Sequence, residues 1–318
     1  MKQLSREAFE RARQFIKAQA RPLDRAMFEC RFEDGPAESV AAELARFRND
    51  DGGFGHALEA DVRTPSSSAL ATGIGLRILK ELGYSADQPL VRDAVECLLA
   101  TFDDEAKVWR VVPRDANAFP HAPWWHDKDG SLARTLDDFL IIPRAEIVGL
   151  LHYYATLVPT DWLEDVTEHT VATIETATDE MLGGGGDSLR YALNLAETNE
   201  LPENLRERLT PRLRAATLVV VSRDPEEWDS YCAPPLKAAP SPTSLIADLL
   251  WDDLQLYLDY QIEHQTPEGA WDPVWTWGDS YPDVWEQAKQ EWRGHLTLET
   301  LTALQAFGRI DTQEKETK

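Results

Sequence analysis

Gln265-Thr-Pro-Glu-Gly-Ala-Trp271 has a weaker partner far upstream, Arg48-Asn-Asp-Asp-Gly-Gly-Phe54. Aligned, both read polar-x-x-acid-Gly-small-aromatic. Each follows an amphipathic helical run. Each precedes, after an irregular segment, a helix expected to open on a hydroxyl residue: Ser66 to Ser68 in the first copy, Thr297 in the second. One pattern used twice with helices on both sides points to a repetitive all-helical fold.

Outward from the two copies, the apolar spacing predicts helices over 5–20 (Phe9, Ala12, Phe15 and Ile16 on one face) and 36–48, then 66–82, 89–102, 144–157, 161–181, 188–197, 203–221, 245–264 and 296–307. No strand is expected; Leu218-Val-Val-Val221 is β-prone but closes a helical run. Residues 103–142, 223–244 and 266–294 read as long irregular excursions. Loops of that length inside a compact domain are often functional. No composition break divides the chain, so residues 1–310 read as one domain and 311–318 as a frayed tail.

The chain has 318 residues, of which 43% are hydrophobic, enough for a substantial core. The net charge of −24 disfavours nucleic acid and anionic lipid as partners. Cys30, Cys97 and Cys232 are odd in number and form no CxxC pair, which argues for a reducing compartment and against a cysteine zinc site. Met1 to Gln19 lacks an apolar signal core, and no apolar run reaches the ~20 residues of a membrane span. The expectation is a soluble cytoplasmic protein with a small-molecule ligand and no metal or cofactor.

Gln265-x-x-Glu268-Gly269-x-Trp271 resembles the Gln-Trp repeat of squalene and terpenoid cyclases, Gln-x-x-Asp-Gly-x-Trp; in the upstream copy Arg48 and Phe54 replace the Gln and Trp. Asp51-Gly-Gly-Phe-Gly-His-Ala-Leu-Glu59, Pro120-His-Ala-Pro-Trp-Trp125 and Trp285-Glu-Gln-Ala-Lys-Gln-Glu-Trp-Arg-Gly294 resemble a bacterial family described as prenyltransferase- or squalene-oxidase-repeat-like. The resemblance implies an α/α-toroid, a ring of inner helices within a ring of outer ones. It does not carry the chemistry. The Asp-x-Asp-Asp acid of protonating cyclases and the Asp-Asp-x-x-Asp of diphosphate-binding synthases are missing, since Asp103-Asp104, Asp137-Asp138 and Asp252-Asp253 are plain pairs. One fold of this kind serves unrelated activities.

Three segments carry candidate chemistry. His56-Ala-Leu-Glu59-Ala-Asp61-Val-Arg63 packs an imidazole, two carboxylates and a guanidinium beside the Gly52-Gly53-Phe54-Gly55 turn. A carboxylate at a cavity rim can serve as a general acid, and His56 can relay a proton; equally, Arg63 can pair locally with Asp61 or Glu59. His121, Trp124 and Trp125 suit an aromatic lid. Trp275, Trp277, Asp279 and Tyr281 suit a cavity wall, with Trp275 and Trp277 on one side of an extended segment. The Gly52–Gly55 turn reads as structural, tucking an aromatic ring onto a neighbouring helix, and Gly183–Gly186 reads as a hinge. Trp285 and Trp292, seven apart, read as core. Charged residues at helix starts, namely Arg144, Glu146 and Asp187, are placed to reach the cavity but read first as caps or solvated groups.

Two functions from different classes follow. One is a terpenoid-cyclase-like protein that binds or transforms an apolar, isoprenoid-type molecule in a Trp-lined cavity, with Glu59 or Asp61 as acid. The other is a carbohydrate-active hydrolase or lyase, with Glu59 or Asp61 opposite Asp279. A non-catalytic binding or scaffold protein is the third possibility.

Overall fold

The computed structural model describes residues 1–127 and 141–311. The expected tail beyond Asp311 and the Asp137-Asp138 pair lie outside the described residues. Within them are thirteen α-helices: α1 (Arg6–Gln19), α2 (Pro22–Phe32), α3 (Ala37–Leu44), α4 (Ala69–Glu81), α5 (Pro89–Thr101), α6 (Arg144–Tyr153), α7 (Thr160–Thr176), α8 (Asp179–Leu182), α9 (Asp187–Ala196), α10 (Glu203–Val220), α11 (Pro235–Ala238), α12 (Trp251–Glu263) and α13 (Pro282–Ala306). The all-helical expectation holds with one small exception. Phe102–Asp103 (β1) and Val108–Trp109 (β2) form an antiparallel hairpin inside a segment expected to be irregular.

The helices fall into two kinds. α1 buries one stripe (Ala8, Ala12, Phe15, Ile16), and α5 and α10 do likewise. α4, α6 and α9 are buried almost all round: α6 hides every residue from Arg144 to Leu151. The kinds alternate along the chain. α4 packs on α5 and α6, α6 on α7 and α9, α9 on α10 and α11, and α11 on α12. α2 packs on α1, α3 and α13.

The two ends of the chain meet. α1 packs on α13, Leu4 and Ile310 form a parallel bridge, and the Asp311 N–H donates to the Leu4 carbonyl at 3.0 Å. Arg309 is buried and donates to the Lys2 carbonyl (2.5 Å), to Gln255 (2.9 Å) and to Asp259. A distinct apolar cluster joins both ends, with Leu4, Phe15, Ile16 and Phe28 against Leu258, Trp271, Leu298, Leu301 and Leu304.

The two motif copies are one local structure. Asn49 N–H donates to Gly53 O and Thr266 N–H to Ala270 O, each at 2.9 Å. Gly52 and Gly269 then take left-handed φ values of 85° and 95°, which favour glycine. The buried N–H of Phe54 donates to Thr72 Oγ1, and that of Trp271 to Thr297 Oγ1, each at 3.1 Å. The aromatic ring thereby turns onto the next helix: a Cβ on Gly75 would meet the Phe54 ring at 2.7 Å. A glycine with positive φ ends each of those helices, Gly83 after α4 and Gly308 after α13. The structural reading of the Gly52–Gly55 turn is therefore correct.

Several boundaries differ from expectation. α13 begins at Pro282, so residues 282–294 are helical, and Thr297 sits inside the helix instead of opening it. Pro282 lies in the first turn, where a missing N–H costs nothing. The hydroxyl equivalent to Thr297 is Thr72, one turn beyond the N-cap Ser68, whose side chain accepts from Ala71 N–H. α2 escaped the periodicity because Asp24 on its buried face is only 1% exposed, held there by two bonds from Arg21. The 161–181 run breaks at Ala177, after which Thr178 caps α8. Before α12, residues 247–250 are a 3-10 turn. At 183–186, three successive left-handed glycines lead into α9, as the hinge reading expects.

Candidate functional site

After the first turn the chain curls tightly through residues 55–64. His56 and Ala57 both take left-handed φ (52° and 62°), an uncommon state for residues with a Cβ. The curl is fixed by His56 N–H to Thr64 O (3.1 Å) and by Arg21, whose guanidinium donates to Leu58 O (3.1 Å). Residues 120–122 run alongside. Val62 bridges His121, Arg63 N–H donates to Pro120 O, and Ala122 N–H donates to Asp61 O. Two expected site segments are thus neighbours.

The third segment arrives through Asp61. Its Oδ1 accepts the indole N–H of Trp277 and that of Trp292, both at 2.8 Å. Trp275 approaches the same carboxylate outside hydrogen-bonding geometry, and its own buried N–H makes no hydrogen bond. Asp61 is 3% exposed. Burial pushes its carboxyl up; the bonds from Trp292 and Trp277, then Trp275 and the charge of Arg63, pull it back, and it settles at about 6. Glu59 lies beside it. Burial and the Asp61 charge raise the Glu59 carboxyl well above the usual range, against the pull of Arg21 and Arg63. Glu59 Oε2 is buried and accepts no hydrogen bond.

Neither local partner considered for Arg63 is the one it uses. Arg63 grips Glu291 on α13 with both terminal nitrogens, 228 positions away. A planar guanidinium fork matches a carboxylate, wherever the fold presents it. Trp292 likewise does more than pack.

The remaining expected residues divide. His121 is buried, with Nδ1 at 2.6 Å from Phe119 O and Nε2 at 2.9 Å from His126 Nδ1; the two rings stack, and Tyr281 leans on His121 with ring centroids 5.8 Å apart. Trp125 is buried, whereas Trp124, Asp279 and Tyr281 are exposed. Trp277 is 1% exposed and packs on Trp285. His56 is exposed and bonded to Asn49 Oδ1 (2.7 Å), so it belongs to the turn and not to the carboxyl pair.

A second constellation lies on α4, α6, α9, α11 and α13. Arg77 (α4) donates to both oxygens of Glu146 (α6), which also accepts from Asn194 (α9) at 2.8 Å. Glu146 is 5% exposed, so it is neither cap nor solvated. Asp187, also read as a cap, binds Lys237 (α11) at 2.9 Å and faces Arg190 at 3.5 Å. Tyr231 reaches Gly184 O at 3.3 Å and Asp187 at 3.5 Å. On α13, His295 contacts Glu299 at 3.2 Å and Asp24 at 4.0 Å.

These groups act on one another. Glu299 is half exposed; the partial desolvation it undergoes would raise its carboxyl, but His295, Arg190 and Arg77 outweigh that and hold the group low. Tyr231, raised to about 12 mainly by burial and Asp187, also senses Asp61. Contacts link the second constellation to the carboxyl pair: Arg21, which donates to Leu58 O, binds Asp24, and Asp24 lies 4.0 Å from His295. One sequence signal could have exposed it: single charges, Arg77 and Arg190 among them, standing inside otherwise apolar helices.

No group of three or more His, Cys, Asp or Glu suited to a metal ion occurs among the described residues, and no described helix is long and apolar enough to cross a membrane. A surface recess of about 420 Å³ lies elsewhere, between residues 183–185 and 218–224, and touches neither Glu59 nor Asp61. Comparison with family models, with curated proteins and with solved structures finds no match to this chain.

Proposed function

We propose that the helices close into a two-layered ring, an α/α-toroid like that of the terpenoid cyclases and prenyltransferases. α2, α4, α6, α9, α11 and α13 would stand inside, and α1, α3, α5, α7, α10 and α12 outside. The alternating packing order, the meeting of the chain ends and the all-round burial of α4, α6 and α9 support this arrangement. The partly water-accessible charges on α4, α9, α11 and α13 would then line a central hollow.

In that hollow the protein binds a polar, hydroxyl-bearing small molecule and performs acid–base cleavage of a glycoside-type C–O bond. One observation carries this reading: a chain of contacts runs from the Glu59 segment through Arg21, Asp24 and His295 to Glu299, and along it the environments drive the two carboxyls apart, Glu59 upward and Glu299 downward. Opposed shifts of this kind mark an acid and its partner base. Glu59 gives its proton to the leaving oxygen as the C–O bond breaks. Ionised Glu299 takes a proton from the water whose oxygen bonds to the carbon. An apolar, isoprenoid-type ligand has less support: of the indoles expected to form its walls, Trp125 and Trp277 are buried, Trp277 is bonded to Asp61, and Trp124 is exposed.

A thermal-shift screen of neutral and charged sugars, followed by turnover of chromogenic glycosides, tests the reading. Glu59→Gln should keep ligand binding and lose turnover by about 100-fold or more. Equal turnover by wild type and Glu59→Gln would remove Glu59 as the acid. Binding with no turnover of any glycoside would leave a binding protein.

A further inference from the structure

The chain carries 56 acidic residues against 32 Lys and Arg, yet cations crowd together in its interior. Arg77, Arg190 and Lys237 come from three helices, and their charges repel: Arg77 acts against the charged form of Arg190, and Arg190 against that of Lys237. Glu146, Asp187 and Glu299 offset this repulsion and hold Arg190 above its ordinary value, but they anchor the three cations unequally. Glu146 is occupied by Arg77 and Asn194. Asp187 serves Lys237, Arg190 and Tyr231 at once, and its contact with Arg190 is a loose 3.5 Å. The buried Arg190 Nε has no hydrogen-bond partner. Arg190 is the cation of the three that is left with unused donors.

Resting on the reading of the hollow given above, we infer that it selects a ligand bearing a carboxylate on a hydroxylated framework, a sugar acid, whose carboxylate is taken by Arg190 and Lys237. The planar guanidinium offers a carboxylate two parallel N–H groups, and the ammonium adds a point charge. Asp187 and Glu299 stand among the same cations, so a dianionic phosphate meets two repelling carboxylates where a singly charged carboxylate meets fewer net penalties. Glu299 and His295 remain as partners for ring hydroxyls.

Isothermal titration with D-glucuronate, D-glucose and glucose 6-phosphate tests this at low and high salt. Glucuronate should bind about tenfold or more tighter than glucose, with affinity falling as salt rises. Arg190→Gln should weaken glucuronate about thirtyfold while leaving glucose nearly unchanged. Lys237→Met is the second variant, read in the same way if Arg190→Gln does not fold by circular dichroism. Equal affinity for glucose and glucuronate would overturn this inference and leave the proposed function standing. Tighter binding of glucose 6-phosphate would overturn the carboxylate assignment. Binding of none of the three would overturn both. Loss of the acid role alone would show instead as undiminished turnover in Glu59→Gln.

Discussion

Trp292 donates its indole N–H to Asp61 Oδ1 at 2.8 Å, across 231 positions of sequence. With Trp277 on the same oxygen, one buried carboxylate joins the loop after the first turn to α13 and to the loop before it. Asp61→Leu strips two buried indole donors of their acceptor and should cost about 2–5 kcal/mol. Asp61→Asn keeps an acceptor oxygen of the same shape and should cost clearly less. Urea unfolding of both variants measures the difference; equal losses would mean that the indole bonds contribute nothing.

The same carboxyl fixes a pH dependence. Its folded value is raised from the ordinary 3.8 to about 6, so between those limits the folded chain holds more protons than the unfolded one. Its contribution to stability is fully present below the unfolded value and is lost as pH rises through about 6. The loss is on the order of 3 kcal/mol at most. Other carboxyls slope the opposite way, so the quantity to measure is wild type minus Asp61→Asn. That difference should fall between pH 4 and 7 and be flat above. A difference that rises with pH would contradict the raised value.

The paired turns make a matched test. A Cβ on Gly269 would sit 2.4 Å from the backbone of Arg11, and φ there is 95°. Gly308 has φ 64° and nothing within 4 Å of an added Cβ. Gly269→Ala should therefore cost about 3 kcal/mol or more, and Gly308→Ala about 1 kcal/mol. Thermal unfolding midpoints separate the two; similar small shifts would mean that α1 does not press on the second turn.

Thr72 and Thr297 should respond alike. Each hydroxyl accepts a buried backbone N–H, from Phe54 and Trp271 respectively. Thr72→Val and Thr297→Val each leave that N–H unpaired, at about 1–3 kcal/mol. Two effects of the same size would be the energetic counterpart of the repeat. A loss at one site only would mean that the other turn is held by different contacts.

The motif copies made the helical, repetitive character legible, because a glycine of positive φ and an aromatic ring must recur wherever this turn recurs. The meeting of the Glu59–Asp61 segment with 120–122 and with the tryptophans was legible only as shared composition. Nothing local says that Arg63 takes Glu291 in place of Asp61, since charge pairing over 228 positions is decided by packing. The interior cations were hidden for the opposite reason. Arg77, Arg190 and Lys237 look like ordinary polar positions until packing brings α4, α9 and α11 together and turns all three toward shared carboxylates. Glu146 and Asp187 do stand in the first turns of α6 and α9, but their partners come from other helices, which the rule for helix-start charges does not foresee.

The account rests on two opposed carboxyls, Glu59 raised well above the ordinary range and Glu299 held below it. Carboxyl ¹³C titration by NMR, with the Glu59 signal assigned through Glu59→Gln, measures both directly. The expected result is a Glu59 midpoint well above the ordinary glutamate value of about 4.3 and a Glu299 midpoint below it. Both signals titrating together near 4.3 would contradict the account.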